Sequence, residues 1–155
     1  MIIIGVTGSI GMGKSTIASM FKFFNIPVHD ADYEVKRIIE NNNLVKKKIK
    51  KEWPDVIYIN KGKEVINKSK LSSYIFKNMK YKVKLEKIIH PLIHKNREEF
   101  LQKYSSSKNI IVMDVPLLYE TGVNKLCNYI FLALTSEENQ KKRVMKRANM
   151  TEKKF

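Results

Sequence analysis

Gly8-Ser-Ile-Gly-Met-Gly-Lys-Ser15 matches the pattern G-x-x-x-x-G-K-[ST] in full. An apolar run from Met1 to Thr7 precedes this stretch, and the helix-forming segment Thr16-Ile-Ala-Ser-Met-Phe-Lys-Phe-Phe24 follows it. A buried strand, a glycine-rich turn and a helix are the context in which this pattern forms a phosphate-binding loop. A glycine-rich turn without a ligand is the alternative interpretation. The flanking strand and helix favour the first, so the sequence predicts that the chain binds a nucleoside triphosphate.

The residue types in this loop suit the phosphates of ATP together with Mg²⁺. Glycines permit positive φ angles and leave no Cβ between the backbone and a ligand. Successive amides can then surround a phosphate at the N-terminus of the helix. We expect Lys14 to reach the β- and γ-phosphates and the Ser15 hydroxyl to coordinate Mg²⁺. The predicted nucleotide-binding residues are Gly8, Gly11, Met12, Gly13, Lys14, Ser15 and Thr16.

The composition limits the class of protein. A chain of 155 residues with 43% hydrophobic residues forms one domain, or one domain with an inserted subdomain, and has enough apolar residues for a core. No apolar run approaches the roughly 18 residues that a membrane span needs, and Ile2 to Val6 is too short for the core of a signal peptide. The single cysteine, Cys127, excludes an internal disulfide, favours a cytoplasmic location and is expected to fill space as a small apolar residue.

The net charge of +15 raises the question of a nucleic-acid partner. Only four of the 30 basic residues are arginines, and the abundance of Lys, Asn and Ile is typical of an A/T-rich genome. Basic runs such as residues 46–51 alternate with apolar residues at helical spacing, which predicts a solvated helix face. The charge attracts anionic substrates. We expect no nucleic-acid partner, no membrane association and a monomer.

Four apolar segments are predicted as strands: Met1 to Thr7, a short strand after the turn within Asn25 to Asp30, Asn109 to Asp114, and Tyr129 to Leu134. The last two are continuous apolar runs, as expected for parallel strands covered on both faces. Each segment is followed by a loop and a helix, so the predicted fold class is a doubly wound α/β fold.

A long segment between the second and third predicted strands predicts an insertion. It is mostly helical, and the helical pattern from Asn67 to Tyr104 is expected to break at His90-Pro91, since proline disfavours helix at its predecessor. The predicted organisation is a core at 1–32 and 109–135, a helical substrate-binding insertion at 33–108 and a lid at 136–155. The insertion is expected over the carboxyl ends of the strands, where a second substrate would bind.

Aspartates at two predicted strand ends are candidates for the chemistry. Asp32 lies just past the second strand, where a carboxylate could take the proton of an attacking hydroxyl; an N-cap of the next helix is the alternative. Asp30 would share its face if the strand persisted, and could then assist with Mg²⁺. Asp114 ends the third strand and is predicted to hold Mg²⁺ directly or through water, with a solvated strand end as the alternative.

Two arginines in the last predicted helix, Ser136 to Arg147, are candidates for clamping phosphates. Arg143 and Arg147 are four residues apart, which places both on one helix face. A guanidinium group can donate two parallel hydrogen bonds to phosphate oxygens. Surface ion pairing with glutamates is the alternative. No N-K-x-D motif of GTPases is present in the sequence, so the pattern favours a small kinase with a lid.

The motifs taken together resemble the dephospho-CoA kinase family. They are V-T-G-S-I-G-M-G-K-S-T at 6–16, N-I-P-V-H-D-A-D at 25–32, I-I-H-P-L-I at 88–93, D-V-P-L-L-Y-E-T-G at 114–122 and Q-K-K-R-V-M-K-R at 140–147. D-A-D, H-P-L-I and P-L-L-Y-E are far more specific than the phosphate loop alone. The resemblance implies a P-loop kinase fold and transfer of the ATP γ-phosphate to the ribose 3′-hydroxyl of dephospho-CoA, the last step of CoA synthesis.

The resemblance also implies residue roles. Asp32 is the candidate base, and His90 either supports the fold or faces the substrate. Lys36 and Lys68 stand where the family commonly has arginine; lysine keeps the charge but loses the two-pronged phosphate contact, so we expect weaker substrate binding. The residues expected to carry catalysis are Asp32, Lys14, Arg143 and Arg147. Those expected to bind the acceptor are Asp32, Lys36, Lys68 and His90.

The resemblance further implies a fifth strand and a closing helix beyond the lid, which help to enclose adenine. Since the sequence stops at Phe155, we expect the run from Tyr129 to Leu134 to be an exposed apolar edge and the activity to be reduced. The alternatives are another small-molecule P-loop kinase, or a nucleotide- or CoA-binding remnant with little activity.

Overall fold

A computed structural model describes residues 1–147, 150 and 151, and its contacts divide the chain into two units. The sheet unit comprises Met1–Ala31 and Phe100–Phe155, and the helical unit comprises Asp32–Glu99. No helix in the described ranges is long and apolar enough to cross a membrane. The elements in chain order are β1 (Ile2–Thr7), α1 (Lys14–Phe23), β2 (Val28–Asp30), α2 (Ala31–Asn41), α3 (Asn43–Glu52), β3 (Ile57–Asn60), β4 (Lys63–Ile66), α4 (Lys68–Lys77), α5 (Met79–Tyr104), β5 (Ile110–Asp114), β6 (Tyr129–Leu132) and α6 (Glu137–Met145).

The sheet unit is built on a four-stranded parallel sheet in the order β2-β5-β1-β6. All four predicted strands are present, and the α/β fold class is confirmed. Ile4, Val6 and Val112 form a buried cluster against Ile17 and Phe21 of α1. A second cluster contains the buried side chains of Met113, Val115, Leu118 and Val123.

Cys127 packs against this second cluster, as predicted for a small apolar filler. A Cβ added at Gly5 would lie 2.9 Å from its Sγ atom, so β1 and the segment before β6 approach closely here. Burial raises the pKa of the Cys127 thiol, because the charged thiolate is disfavoured away from water. The Cys127 thiol is therefore less readily ionised than an exposed cysteine.

Strand β6 lies at one edge of the sheet, as predicted for this run. Tyr129, Phe131 and Leu132 are exposed, and so is Leu134, which follows the strand. The Phe131 ring stacks on Phe21 of α1, with ring centroids 5.8 Å apart. Among the described residues no further strand pairs with β6, so this edge presents backbone groups beside apolar side chains.

The helical unit has its own core and includes a hairpin that the sequence analysis did not predict. Its buried cluster consists of Ile38, Val45, Ile49, Trp53, Val56, Ile66 and Leu71. Strands β3 and β4 pair antiparallel across a turn at Lys61-Gly62, where both residues have positive φ angles. The alternating pattern of these four-residue strands is too short to distinguish them from loop by periodicity alone.

The predicted break at His90-Pro91 is wrong. Helix α5 runs without interruption through 26 residues, with Pro91 inside it. Leu85 and Ile88 before the proline, and Leu92 and Ile93 after it, all pack against the core of the helical unit. Burial on both sides of the proline outweighs the missing backbone hydrogen bond, so tertiary packing overrides the local preference.

Candidate active site

The loop between β1 and α1 has the backbone conformation that anion binding requires. Gly11 and Gly13 adopt φ angles of 80° and 101°, which side-chain-bearing residues rarely adopt. Helix α1 begins at Lys14, directly after Gly13, and no side chain caps its first turn. Its first amides are therefore available to an anion, at the end of the helix where the dipole favours negative charge. ATP phosphates fit this arrangement.

The ammonium group of Lys14 lies at this loop and is held by Asp114. Lys14 Nζ donates to Asp114 Oδ1 at 2.6 Å, and the two side chains are 13% and 3% exposed. Asp114 ends β5 and is the register partner of Val6 in β1, which brings it to the start of the loop. Two residues that the sequence assigned separate roles, one toward phosphate and one toward Mg²⁺, are thus in direct contact.

The loop after β5 is tied to β1 by a hydrogen bond that the sequence analysis missed. Thr7 Oγ1 donates to the Pro116 carbonyl at 2.8 Å, and Thr7 is buried. The backbone N–H of Val115 donates to the Val6 carbonyl at 3.1 Å. These bonds hold the segment after Asp114 in place, while pairing of β5 with β1 holds the backbone before it. The carboxylate that pairs with Lys14 is therefore attached to backbone that is fixed on both sides.

The other predicted loop residues lie around the start of α1. Ser15 and Thr16 are exposed, and Gly8 packs so closely that an added Cβ would lie 2.9 Å from the Ala133 carbonyl oxygen. Within the described ranges, no three residues of the His, Cys, Asp and Glu types group into a metal cage. Mg²⁺ in phosphoryl-transfer sites keeps waters and phosphate oxygens as ligands and needs few protein ligands. Ser15 and Asp114 as metal ligands stay a prediction.

Helix α6 contacts the outer side of this loop. Gln140 Nε2 donates to the Ile10 carbonyl at 2.8 Å, and Arg143 Nη1 donates to the Gly11 carbonyl at 3.3 Å. Arg143 was predicted from the sequence, whereas Gln140 was not. The helix itself was predicted, and its N-cap is Ser136. A sequence does not reveal which partner a polar residue on a helix face will meet, so no signal identified Gln140.

The prediction that Arg143 and Arg147 share a helix face is wrong. Helix α6 ends at Met145, and Arg147 lies in the bend that follows. The backbone N–H of Arg147 donates to the Val144 carbonyl at 3.0 Å, three residues back, so the last turn tightens and changes the direction of the chain. The remaining part of the predicted lid at 148–149 and 152–155 lies outside the described residues.

The predicted acceptor-binding residues belong to the helical unit. Asp32 and Lys36 are exposed on α2, and His90 is exposed on α5. The interpretation of Asp32 as an N-cap is wrong, because α2 begins at Ala31 and includes Asp32 in its first turn. Asp30 ends β2, so the strand does not persist to place both aspartates on one strand face.

Lys68 lines a cavity of about 490 Å³ in the helical unit. Its ammonium forms an ion pair with Glu40, which also lines the cavity. Lys46 and Tyr58 line the same cavity. A second lysine and an aromatic ring therefore accompany the predicted Lys68.

Comparison with known proteins identifies the family. The family model for dephospho-CoA kinase matches residues 2–155. This chain belongs to the dephospho-CoA kinase family. The resemblance carried by D-A-D, H-P-L-I and P-L-L-Y-E is therefore confirmed at the level of the family.

Individual members of the dephospho-CoA kinase family match the whole chain. The dephospho-CoA kinases of Nitrobacter winogradskyi and Rhizobium meliloti are 37% and 38% identical over 156 residues, covering 100% of this chain and 75% and 77% of theirs. A crystal structure from Thermus thermophilus has a TM-score of 0.80 at 28% identity, covering 97% of this chain and 74% of that one. The dephospho-CoA kinase from Campylobacter jejuni has a TM-score of 0.70 at 26% identity, covering 96% and 74%.

Proposed function

We propose that this chain transfers the γ-phosphoryl group of ATP to the ribose 3′-hydroxyl of dephospho-CoA, giving CoA and ADP. The observation that carries the proposal is the Lys14 ammonium, held by Asp114 at the uncapped start of α1, in a chain whose family model is dephospho-CoA kinase. Lysine at this point of a glycine-rich loop contacts β- and γ-phosphate oxygens. The reaction class then follows from the family.

The phosphate side of the proposed reaction belongs to the loop. The amides of Gly11 and of residues 13–15 surround the phosphates, and Lys14 neutralises part of their charge. Mg²⁺, when bound at the Ser15 hydroxyl, neutralises a further part and orients the phosphate tail. Asp114 holds the lysine before the nucleotide binds, and is the candidate to contact Mg²⁺ through water. Arg143 and Arg147 are proposed to stabilise the charge on the transferring group.

The acceptor side is assigned to Asp32, with Lys36, Lys68 and His90 as binding residues. In this proposal the 3′-oxygen forms a bond to the γ-phosphorus while the bond between the γ-phosphorus and the bridging oxygen breaks, and ADP leaves. Asp32 accepts the hydroxyl proton. Asp32 follows β2 by two residues and is exposed, so its carboxylate is accessible to a substrate. The lysines would attract the phosphates of the acceptor.

The test is formation of CoA from Mg-ATP and dephospho-CoA, measured by chromatography. We expect Asp32→Asn to lower kcat by about 10²- to 10⁴-fold, the usual contribution of a general base, with the Kd for ATP within about twofold of wild type. Asp55→Asn is the matched control, because Asp55 is an exposed carboxylate of the same unit, paired with Lys70. ATP binding without any product from the wild-type chain would refute the proposal and support the nucleotide-binding remnant.

The proposal also includes the setting in which the chain works. We propose the cytoplasm as the compartment and a monomer without a nucleic-acid partner as the working form. The free Cys127 thiol supports a reducing compartment. Sedimentation of the purified chain at several concentrations, with and without added RNA, tests the other two points.

A further inference from the structure

Helix α6 holds the phosphate loop from its outer side. Two side chains of α6 donate to consecutive loop carbonyls, Gln140 to Ile10 at 2.8 Å and Arg143 to Gly11 at 3.3 Å. Both donors and both acceptors belong to the sheet unit, although about 130 residues separate them in the chain. In a phosphate-binding loop the backbone amides contact the phosphate, and the backbone carbonyls do not.

We infer that Gln140 is a positioning residue that aims the Gly11 amide into the phosphate site. The peptide between Ile10 and Gly11 is trans, since no cis peptide occurs among the described residues. In a planar trans peptide the C=O and the following N–H point in opposite directions. A donor that fixes the Ile10 carbonyl toward α6 therefore fixes the Gly11 N–H away from α6, toward the interior of the loop.

The hydrogen bond from Arg143 does not orient a loop amide toward the phosphate site. It fixes the peptide whose N–H belongs to Met12, and that N–H already donates to the Ser9 carbonyl at 3.2 Å within the loop. The Arg143 bond is also longer, at 3.3 Å against 2.8 Å. The orientation of the Gly11 amide therefore depends on Gln140 more than on its neighbour.

Close packing of α6 on the loop places the Gln140 side chain within reach of the Ile10 carbonyl. A Cβ added at Gly11 would lie 2.6 Å from Val144 Cγ2 and 3.1 Å from the Gln140 backbone oxygen. Val144 itself is fully buried. The α6 backbone thus touches the loop at Gly11, and this close approach brings the Gln140 amide within hydrogen-bonding distance of the Ile10 carbonyl, at the surface of the molecule.

The inference rests on the proposed function for its consequence in catalysis, but its first readout is nucleotide binding alone. The decisive variant is Gln140→Met, which keeps the length of the side chain and a good helix former but removes the donor. We expect the Kd for Mg-ATP, measured by calorimetry, to rise about 3- to 10-fold, the effect of losing one ordinary hydrogen bond. Gln140→Glu, which also removes the donor, should weaken binding at least as much.

A matched control and a backbone readout separate positioning from a structural role. Gln102→Met is the control, because Gln102 is exposed on α5 and its side chain makes no hydrogen bond in the described part of the chain; its Kd should equal that of wild type. Hydrogen exchange of the Gly11 amide, followed by NMR without nucleotide, should become faster in Gln140→Met. The KM for the acceptor should change by less than about twofold, since one loop amide is affected.

Each outcome decides the inference. An unchanged Kd for Mg-ATP in Gln140→Met overturns it, and so does a rise in Kd that Gln102→Met reproduces. A lower unfolding midpoint without a change in Kd would show that Gln140 serves only the fold. If the wild-type chain binds Mg-ATP but makes no CoA, the proposed function fails while the Kd comparison still tests Gln140.

Discussion

Lys14 and Asp114 show how one residue pair serves both the fold and the site. Asp114 is 3% exposed, so its charge has lost most of its water, and the Lys14 ammonium at 2.6 Å compensates for that loss. A lysine free in solvent would have to be ordered when the nucleotide arrives. Here the ion pair orders it in advance, so the charge is already placed for phosphate.

At the residue scale, we predict that Lys14→Met destabilises the protein as well as lowering its activity. The substitution removes the ammonium that compensates a buried carboxylate, which typically costs about 3 kcal/mol. Urea unfolding without nucleotide measures this loss. Lys22→Met is the control, because Lys22 is exposed in the same helix and forms no ion pair in the described ranges; equal destabilisation by both variants would contradict the prediction.

At the element scale, the approach of α6 to the loop depends on the absence of a side chain at Gly11. Val144 occupies the space next to it, and a Cβ there would lie 2.6 Å from Val144 Cγ2. Gly11 also has a φ angle of 80°. Glycine at this position therefore serves two purposes, since it permits both the turn of the loop and the packing of the helix.

We predict that Gly11→Ala costs about 2–4 kcal/mol of stability, of which about 1–2 kcal/mol is backbone strain and the rest steric overlap. Chemical unfolding measures the total. Gly62→Ala isolates the backbone part, because Gly62 has a φ of 74° and nothing within 4 Å of an added Cβ. In a Val144→Ala background the cost of Gly11→Ala should fall toward that of Gly62→Ala; an unchanged cost would exclude the overlap with Val144.

At the scale of the whole molecule, the exposed sheet edge favours association between molecules, whereas the high positive charge opposes it. The net charge of +15 keeps molecules apart, while the exposed β6 edge offers backbone groups and apolar side chains for association. Salt screens the repulsion between exposed charges over about 10 Å at 0.1 M. Association through the edge should therefore increase with ionic strength.

We predict that Leu132→Lys reduces salt-induced association of this chain, measured by light scattering. Leu132 lies on the edge strand and is 58% exposed, so a lysine costs little stability and opposes edge pairing. Phe76→Lys is the control for apolar exposure without a strand edge, since Phe76 is 90% exposed on α4. Equal suppression by both variants would show that the sheet edge is not responsible.

Much of the sheet unit could be predicted because its signals are local. The glycine pattern determines the positive φ angles of the loop, and short apolar segments determine the four strands. The break at Pro91 and the shared face of Arg143 and Arg147 were predicted from equally local rules and are wrong. In the first case packing outweighed a backbone preference, and in the second a helix ended two residues early.

The sequence alone determined the phosphate-binding loop, the parallel α/β class and the kinase family, because each depends on neighbouring residues whose spacing encodes one backbone conformation. Only the tertiary structure decided the strand order β2-β5-β1-β6, the contact of Lys14 with Asp114 and the hydrogen bond from Gln140 to the Ile10 carbonyl. Those partners are 100 and 130 residues apart in the chain. Which helix and strand faces come into contact over such distances depends on how the elements pack, and the local spacing of residues does not encode that packing.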